Sequence, residues 1–184
     1  MSPLRRVLRP VAALSLAVVL AACSSSEPEG RSGDVMFAQM MIPHHEQAVE
    51  MADLALEKDG VSAEVQDLAT DIKAAQDPEI KTMSGWLGEW GASATASGNG
   101  MNHGGGNDAG AGMMSDDDMQ SLRAAEGAEF DKQWLTMMIE HHEGAVDMAK
   151  DVLKTTQDPE VRALAEAVVS GQEAEISTMQ GLLD

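Results

Sequence analysis

One cysteine, no tyrosine, two phenylalanines and three tryptophans are all that 184 residues provide of these types. A single cysteine, Cys23, cannot pair within the chain, so no disulfide staples this fold. Cations are scarce too. Twelve Lys and Arg face 31 Asp and Glu, giving a formal charge of −19. So acidic a surface repels phosphate backbones and excludes nucleic acid as a partner. Gly104-Gly105-Gly106 lies in a polar low-complexity stretch, not between a strand and a helix, so it is no phosphate loop. No Ser/His/Asp or Cys/His nucleophilic arrangement is evident, and the expectation is a binding protein, not an enzyme.

The N-terminal apolar run, Val11 to Leu20, is short for a membrane span. It follows Arg5, Arg6 and Arg9 and ends in Leu20-Ala21-Ala22-Cys23. Residues 1–22 therefore read as a lipoprotein signal peptide, with Cys23 as the lipidated first residue of the mature chain. Its removal takes away three arginines and no acid, moving the formal charge to −22. The expectation is an extracytoplasmic protein held to a bacterial membrane through its lipid alone. Residues 23–33, rich in Ser, Glu, Pro and Gly, read as a flexible tether.

Against these absences stands an excess. Fourteen methionines occur, far more than the aromatics. Their places follow an internal repeat. Met40-Met41-Ile42-Pro43-His44-His45-Glu46 returns 97 residues later as Met137-Met138-Ile139-Glu140-His141-His142-Glu143. Met51 returns as Met148 at the same offset, and Gln76, Glu79 and Met83 return 96 residues later as Gln172, Glu175 and Met179. Each unit, residues 34–90 and 115–184, reads as a helical hairpin that needs its twin to bury an apolar face. Asp34, Ser62, Ser115 and Asp158 are the expected helix caps, and Ser115 to Asp118 is a capping box opening a short helix. Pro43 and Pro78 fall inside helical patterns, where each is expected to kink the helix or open a carbonyl. Residues 91–114, loaded with Gly, Ala, Ser and Asn, form a long crossover carrying Met101, His103, Met113 and Met114. Two hairpins and one crossover predict an all-α four-helix bundle.

At about 100° per residue, with Met40 at zero, His44 and Met51 fall within roughly 40° of it. Met41 and His45 fall near 100° and 140°, on the other edge of the apolar stripe, by the same rough count. Met137, His141 and Met148 repeat the first row, and Met138 and His142 the second. Adjacent histidines point about 100° apart, which favours Met–His pairs over a His–His chelate. Thioether and imidazole together form a soft donor set suited to Cu(I) or Ag(I). Zn²⁺ would call for Cys, His and carboxylate. The competing reading makes the methionines core filler and lets Glu79 and Glu175 pair with buried histidines.

The doubled M-I-x-H-H-x-x-A-x-x-M-A pattern and the Q-x-x-E-I-x-x-M pattern resemble the domain-of-unknown-function 305 family. That resemblance covers Asp34 to Trp90 and Ser115 to Leu183. It implies a ferritin-like helical bundle and a likeness to periplasmic copper-binding, copper-resistance proteins of the CopM type. It points to His44, His45, Met51, His141, His142 and Met148, with Met40, Met41, Met137 and Met138 also matching. Met83 and Met179 complete the expected donors. Three functions are carried forward: a copper-sequestering or copper-transferring protein, a non-metal envelope interaction module with structural histidines, and a ferritin-like di-metal oxidase. The last lacks the Glu-x-x-His motif that such sites use. Self-association and a copper-transfer partner are both compatible with this reading.

Overall fold

The computed structural model describes residues 31–94 and 112–184. The expected signal peptide, Cys23, the expected tether up to residue 30, and Met101 and His103 lie outside the described residues.

Five helices follow in order: α1 (Arg31–Glu57), α2 (Ala63–Glu89), α3 (Asp116–Ala124), α4 (Gly127–Leu153) and α5 (Pro159–Leu183). Three of the expected caps are present. The Ser62 side chain accepts from Val65 N–H, and Asp158 accepts from Glu160 and Val161 N–H ahead of Pro159. Ser115 and Asp118 form the reciprocal capping box of α3. Asp34 is not a cap. Residues 31–33 ahead of it are already helical, and Asp34 is buried. In the same turn, Arg31 donates to Asp158 (3.3 Å) and lies 4.4 Å above the Trp90 ring. Neither Pro43 nor Pro78 ends its helix, and both sit on exposed faces.

α1 packs along α2, α4 packs along α5, and the two hairpins meet chiefly where α1 crosses α4. This is the bundle of two hairpin repeats that the periodicity predicts. No described helix is long and apolar enough to cross a membrane.

The core has two halves. One gathers Met51, Ala55, Leu68, Ile72, Phe130, Trp134 and Met138, and α3 adds Met119 and Leu122. The other gathers Phe37, Met41, Met83, Trp86, Ala149, Val152 and Val168. Along α1 and α4, the histidine pairs fall between the residues of these two clusters.

Residues 112–124 form a strap over one side of the α1–α4 seam. Gly112 lies against the backbone of Glu140 and Gly144 on α4. Met114 exchanges two hydrogen bonds with the Gln47 side chain of α1, at 2.7 and 2.9 Å. Farther along, Arg123 pairs with Glu50, and its carbonyl accepts from Lys58 (2.8 Å).

Candidate metal centre

All four helical histidines are buried at the waist of the bundle, each at most 1 % exposed. His44 of α1 and His141 of α4 meet across the seam, with ring centroids 3.7 Å apart and planes tilted by 38°. His45 and His142 turn the other way, each toward the second helix of its own hairpin. His45 Nε2 lies 2.8 Å from Glu79 Oε2, and His142 Nε2 lies 2.8 Å from Glu175 Oε2. The 100° between neighbours explains the division: one histidine per pair faces the twin repeat and the other faces its own partner helix.

Gln76, Glu79, Gln172 and Glu175 line a cavity of about 30 Å³ between α2 and α5. That is room for a water molecule. Gln76 is buried, and neither polar atom of its side chain has a hydrogen-bond partner among the described residues. No side chain among the described residues hydrogen-bonds the His141 ring, whose polar neighbour is the His44 backbone. Burial, first, and the neighbouring histidines His44, His142 and His45, next, hold the His141 pKa well below the usual 6.5. His141 is therefore neutral at physiological pH and keeps a lone pair for a soft ion.

The stacked pair does not fit one ion as it stands. With metal–nitrogen bonds of about 2 Å, two imidazoles on one ion keep their centroids roughly 5 Å apart or more. His44 and His141 would have to separate before sharing a metal. Among the described residues no three His, Cys, Asp or Glu side chains cluster as a metal site.

The methionines divide unevenly. Met41, Met51, Met83, Met138 and Met179 are fully buried, and Met137 is 7 % exposed. Each core half draws sulfur from both repeats: Met51, Met137, Met138 and Met179 in one, Met41 and Met83 with half-buried Met148 in the other. Met40 behaves differently from its expected place beside His44. It is 42 % exposed, because the buried arc of α1 is centred near Met41 and Ala48 and leaves Met40 at its edge. Met40 instead lines a groove of about 270 Å³ with Met148 and Met36. Met36 was not among the expected donors, although its spacing of one helical turn from Met40 is legible in the sequence.

The fold and the waist define a helical bundle of two repeats, with paired histidines between two methionine-bearing cores. The chain belongs to the DUF305 family: residues 34–183 match the family described as Domain of unknown function (DUF305). A DUF305 fragment from Deinococcus radiodurans is 33 % identical, with a TM-score of 0.73, over 85 % of this chain and 98 % of that one. A DUF305 protein of Streptomyces coelicolor, described as secreted, is 34 % identical, with a TM-score of 0.72, over 82 % of this chain and 91 % of that one. CopM in its Cu(II)-bound form is 33 % identical, with a TM-score of 0.68, over 82 % of this chain and 95 % of that one. CopM structures with Cu(I) and with Ag are similar as well. An uncharacterized protein of Acanthamoeba polyphaga mimivirus is 41 % identical over 54 residues, 29 % of this chain, and that match spans only 36 % of its own length.

Proposed function

We propose that this protein binds a soft monovalent ion, Cu(I) or Ag(I), outside the cytoplasm, and sequesters it or hands it on without catalysing a reaction. The observation that carries this reading is the grouping of donors. Four buried histidines lie at one level of the bundle, two of them in contact across the seam, and methionines of both repeats flank them on either side. Thioether and neutral imidazole are donors that a soft ion accepts readily and that hard Mg²⁺ or Ca²⁺ does not. The Cu(I), Cu(II) and Ag forms of CopM support the choice of metal. The Streptomyces relative described as secreted supports an extracytoplasmic place. The signal-peptide pattern at residues 1–22 supports a lipid anchor on Cys23.

The test is titration of the mature chain with Cu(I) against a competing chelator. The reading expects the protein to withdraw copper from the chelator, and it fails if the wild type takes up none.

The carboxylate partners favour a second reading of the histidines themselves. Glu79 and Glu175 each partner the Nε2 atom of one buried ring, as a structural layer would. Titration of a quadruple His44→Ala, His45→Ala, His141→Ala, His142→Ala variant, checked for helix content, separates the two. Unchanged affinity assigns the ion to sulfur and the histidines to the fold, whereas weakened affinity in a folded variant assigns imidazole a share.

A further inference from the structure

The α1–α4 seam has two sides related by the internal repeat, and among the described residues one is covered and the other is not. On the covered side Met119 and Leu122 of α3 join Phe130, Trp134 and Met137 of α4 and Met51 of α1 in one core cluster, with Leu54 packed against it. Subtracting or adding 97 maps that side onto the opposite groove. There Gly33 stands for Phe130, Phe37 for Trp134 and Asp151 for Leu54. The space fillers have become smaller or charged. The sulfurs have not been lost: Met40 stands for Met137, Met148 for Met51, and Met36 replaces Gln133.

The result is an open groove of about 270 Å³ with three methionines on its walls. Met36 and Met40 are 53 % and 42 % exposed, which forgoes the stabilisation that burial would give two large apolar side chains. Core filling therefore does not account for them.

We propose that this groove is the soft-ion site, in which the thioethers of Met36, Met40 and Met148 bind Cu(I) or Ag(I). The inference rests on the copper-handling reading and gives it a location. Met36 and Met40 are one turn apart on α1, so their side chains project from the same face, with Cβ atoms about 5–6 Å apart. Met148 faces them from α4. Each side chain is long and flexible enough to swing its sulfur toward a shared ion. Thioethers carry no proton at any physiological pH, so no proton competes for the site. Phe37 and Val152 form an apolar wall, and Asp151 stands at the rim, where its carboxylate accepts from Lys154 Nζ (2.6 Å). Thr155 Oγ1 donates to the Val152 carbonyl (3.4 Å), leaving sulfur as the characteristic donor. With three soft donors and a single carboxylate, the set selects against hard divalent ions.

A Met36→Leu, Met40→Leu, Met148→Leu variant of the full mature chain tests this, because Met-to-Leu swaps nearly conserve volume. Cu(I) titration against a chelator, with helix content and melting monitored, is compared between wild type and variant. The expected result is loss of one tight equivalent, or affinity at least about tenfold weaker at that equivalent, in a protein that melts as before. Wild-type uptake that the triple variant reproduces in stoichiometry and affinity overturns the groove while leaving copper binding intact. No uptake by the wild type overturns both. If the variant melts early, Met36→Leu alone, at the most exposed of the three positions, gives the same comparison.

Discussion

His44 of α1 lies against His141 of α4, with 3.7 Å between ring centroids, at the level where the two repeats cross. Both rings are buried, and two imidazolium ions at that distance would repel in a medium that solvates neither. The pair is stable only while at least one ring is neutral, and burial keeps His141 so.

Stability should therefore fall in mild acid. The folded-state pKa of His141 is depressed below its usual 6.5, so the unfolded chain binds the proton more readily. The stabilisation is fully present above about pH 6.5 and is lost as pH drops below it, at up to about 1.4 kcal/mol per pH unit for one proton. Denaturant unfolding between pH 7.5 and 5 reads this, and His141→Gln should flatten the slope. Equal stability at both ends would contradict it.

Glu79 and Glu175 hold equivalent places, each 2.8 Å from a buried ring nitrogen. Glu79→Ala should leave His45 without its partner at a cost of about 1–3 kcal/mol, and Glu175→Ala should cost a similar amount through His142. Chemical denaturation of the two single variants checks both the magnitude and the equivalence of the repeats.

Neighbouring methionines should respond in opposite ways. Met41 is fully buried and Met40 is 42 % exposed. Met41→Ala is expected to cost about 2–5 kcal/mol, as truncation inside a packed core does. Met40→Ala should stay within about 0.5 kcal/mol of wild type. Denaturation midpoints of the two variants distinguish this inward face from one rotated by a residue.

The strap depends on Gly112. Its φ is +82°, and a Cβ there would stand 2.5 Å from the Glu140 carbonyl oxygen. Gly112→Ala should destabilise by about 1–3 kcal/mol through backbone strain. It should also raise hydrogen exchange in α3 more than in α2 or α5, each of which is held along its length by its own hairpin partner. Uniform protection across the variant would contradict this.

Much of this architecture is legible in the sequence because the repeat carries it. Ser62, Ser115 and Asp158 announce three helix starts through local hydrogen bonding, which needs no tertiary knowledge. Asp34 carries the same kind of local signal yet lies inside α1, whose first described residue, Arg31, reaches Asp158 and Trp90 through contacts that local signals do not show. Angular counting correctly separates the two histidines of each pair but not their destinations. That His44 meets His141, while His45 meets Glu79, depends on which helices adjoin. The helical wheel puts Met40 beside His44 at one edge of the apolar stripe and does not say on which side of that edge burial ends. The breadth of the buried arc comes from α1 touching both α2 and α4. The groove needed the structure most, since nothing in the repeat says that α3 covers one side of the seam and leaves the other open.

The central claim, that sulfur holds a soft ion in this bundle, is tested most directly by X-ray absorption at the copper edge on the Cu(I)-loaded mature chain. The account predicts a first shell dominated by sulfur, with Met36, Met40 and Met148 required for it. A shell of nitrogen and oxygen alone, unchanged in the triple leucine variant, would contradict it.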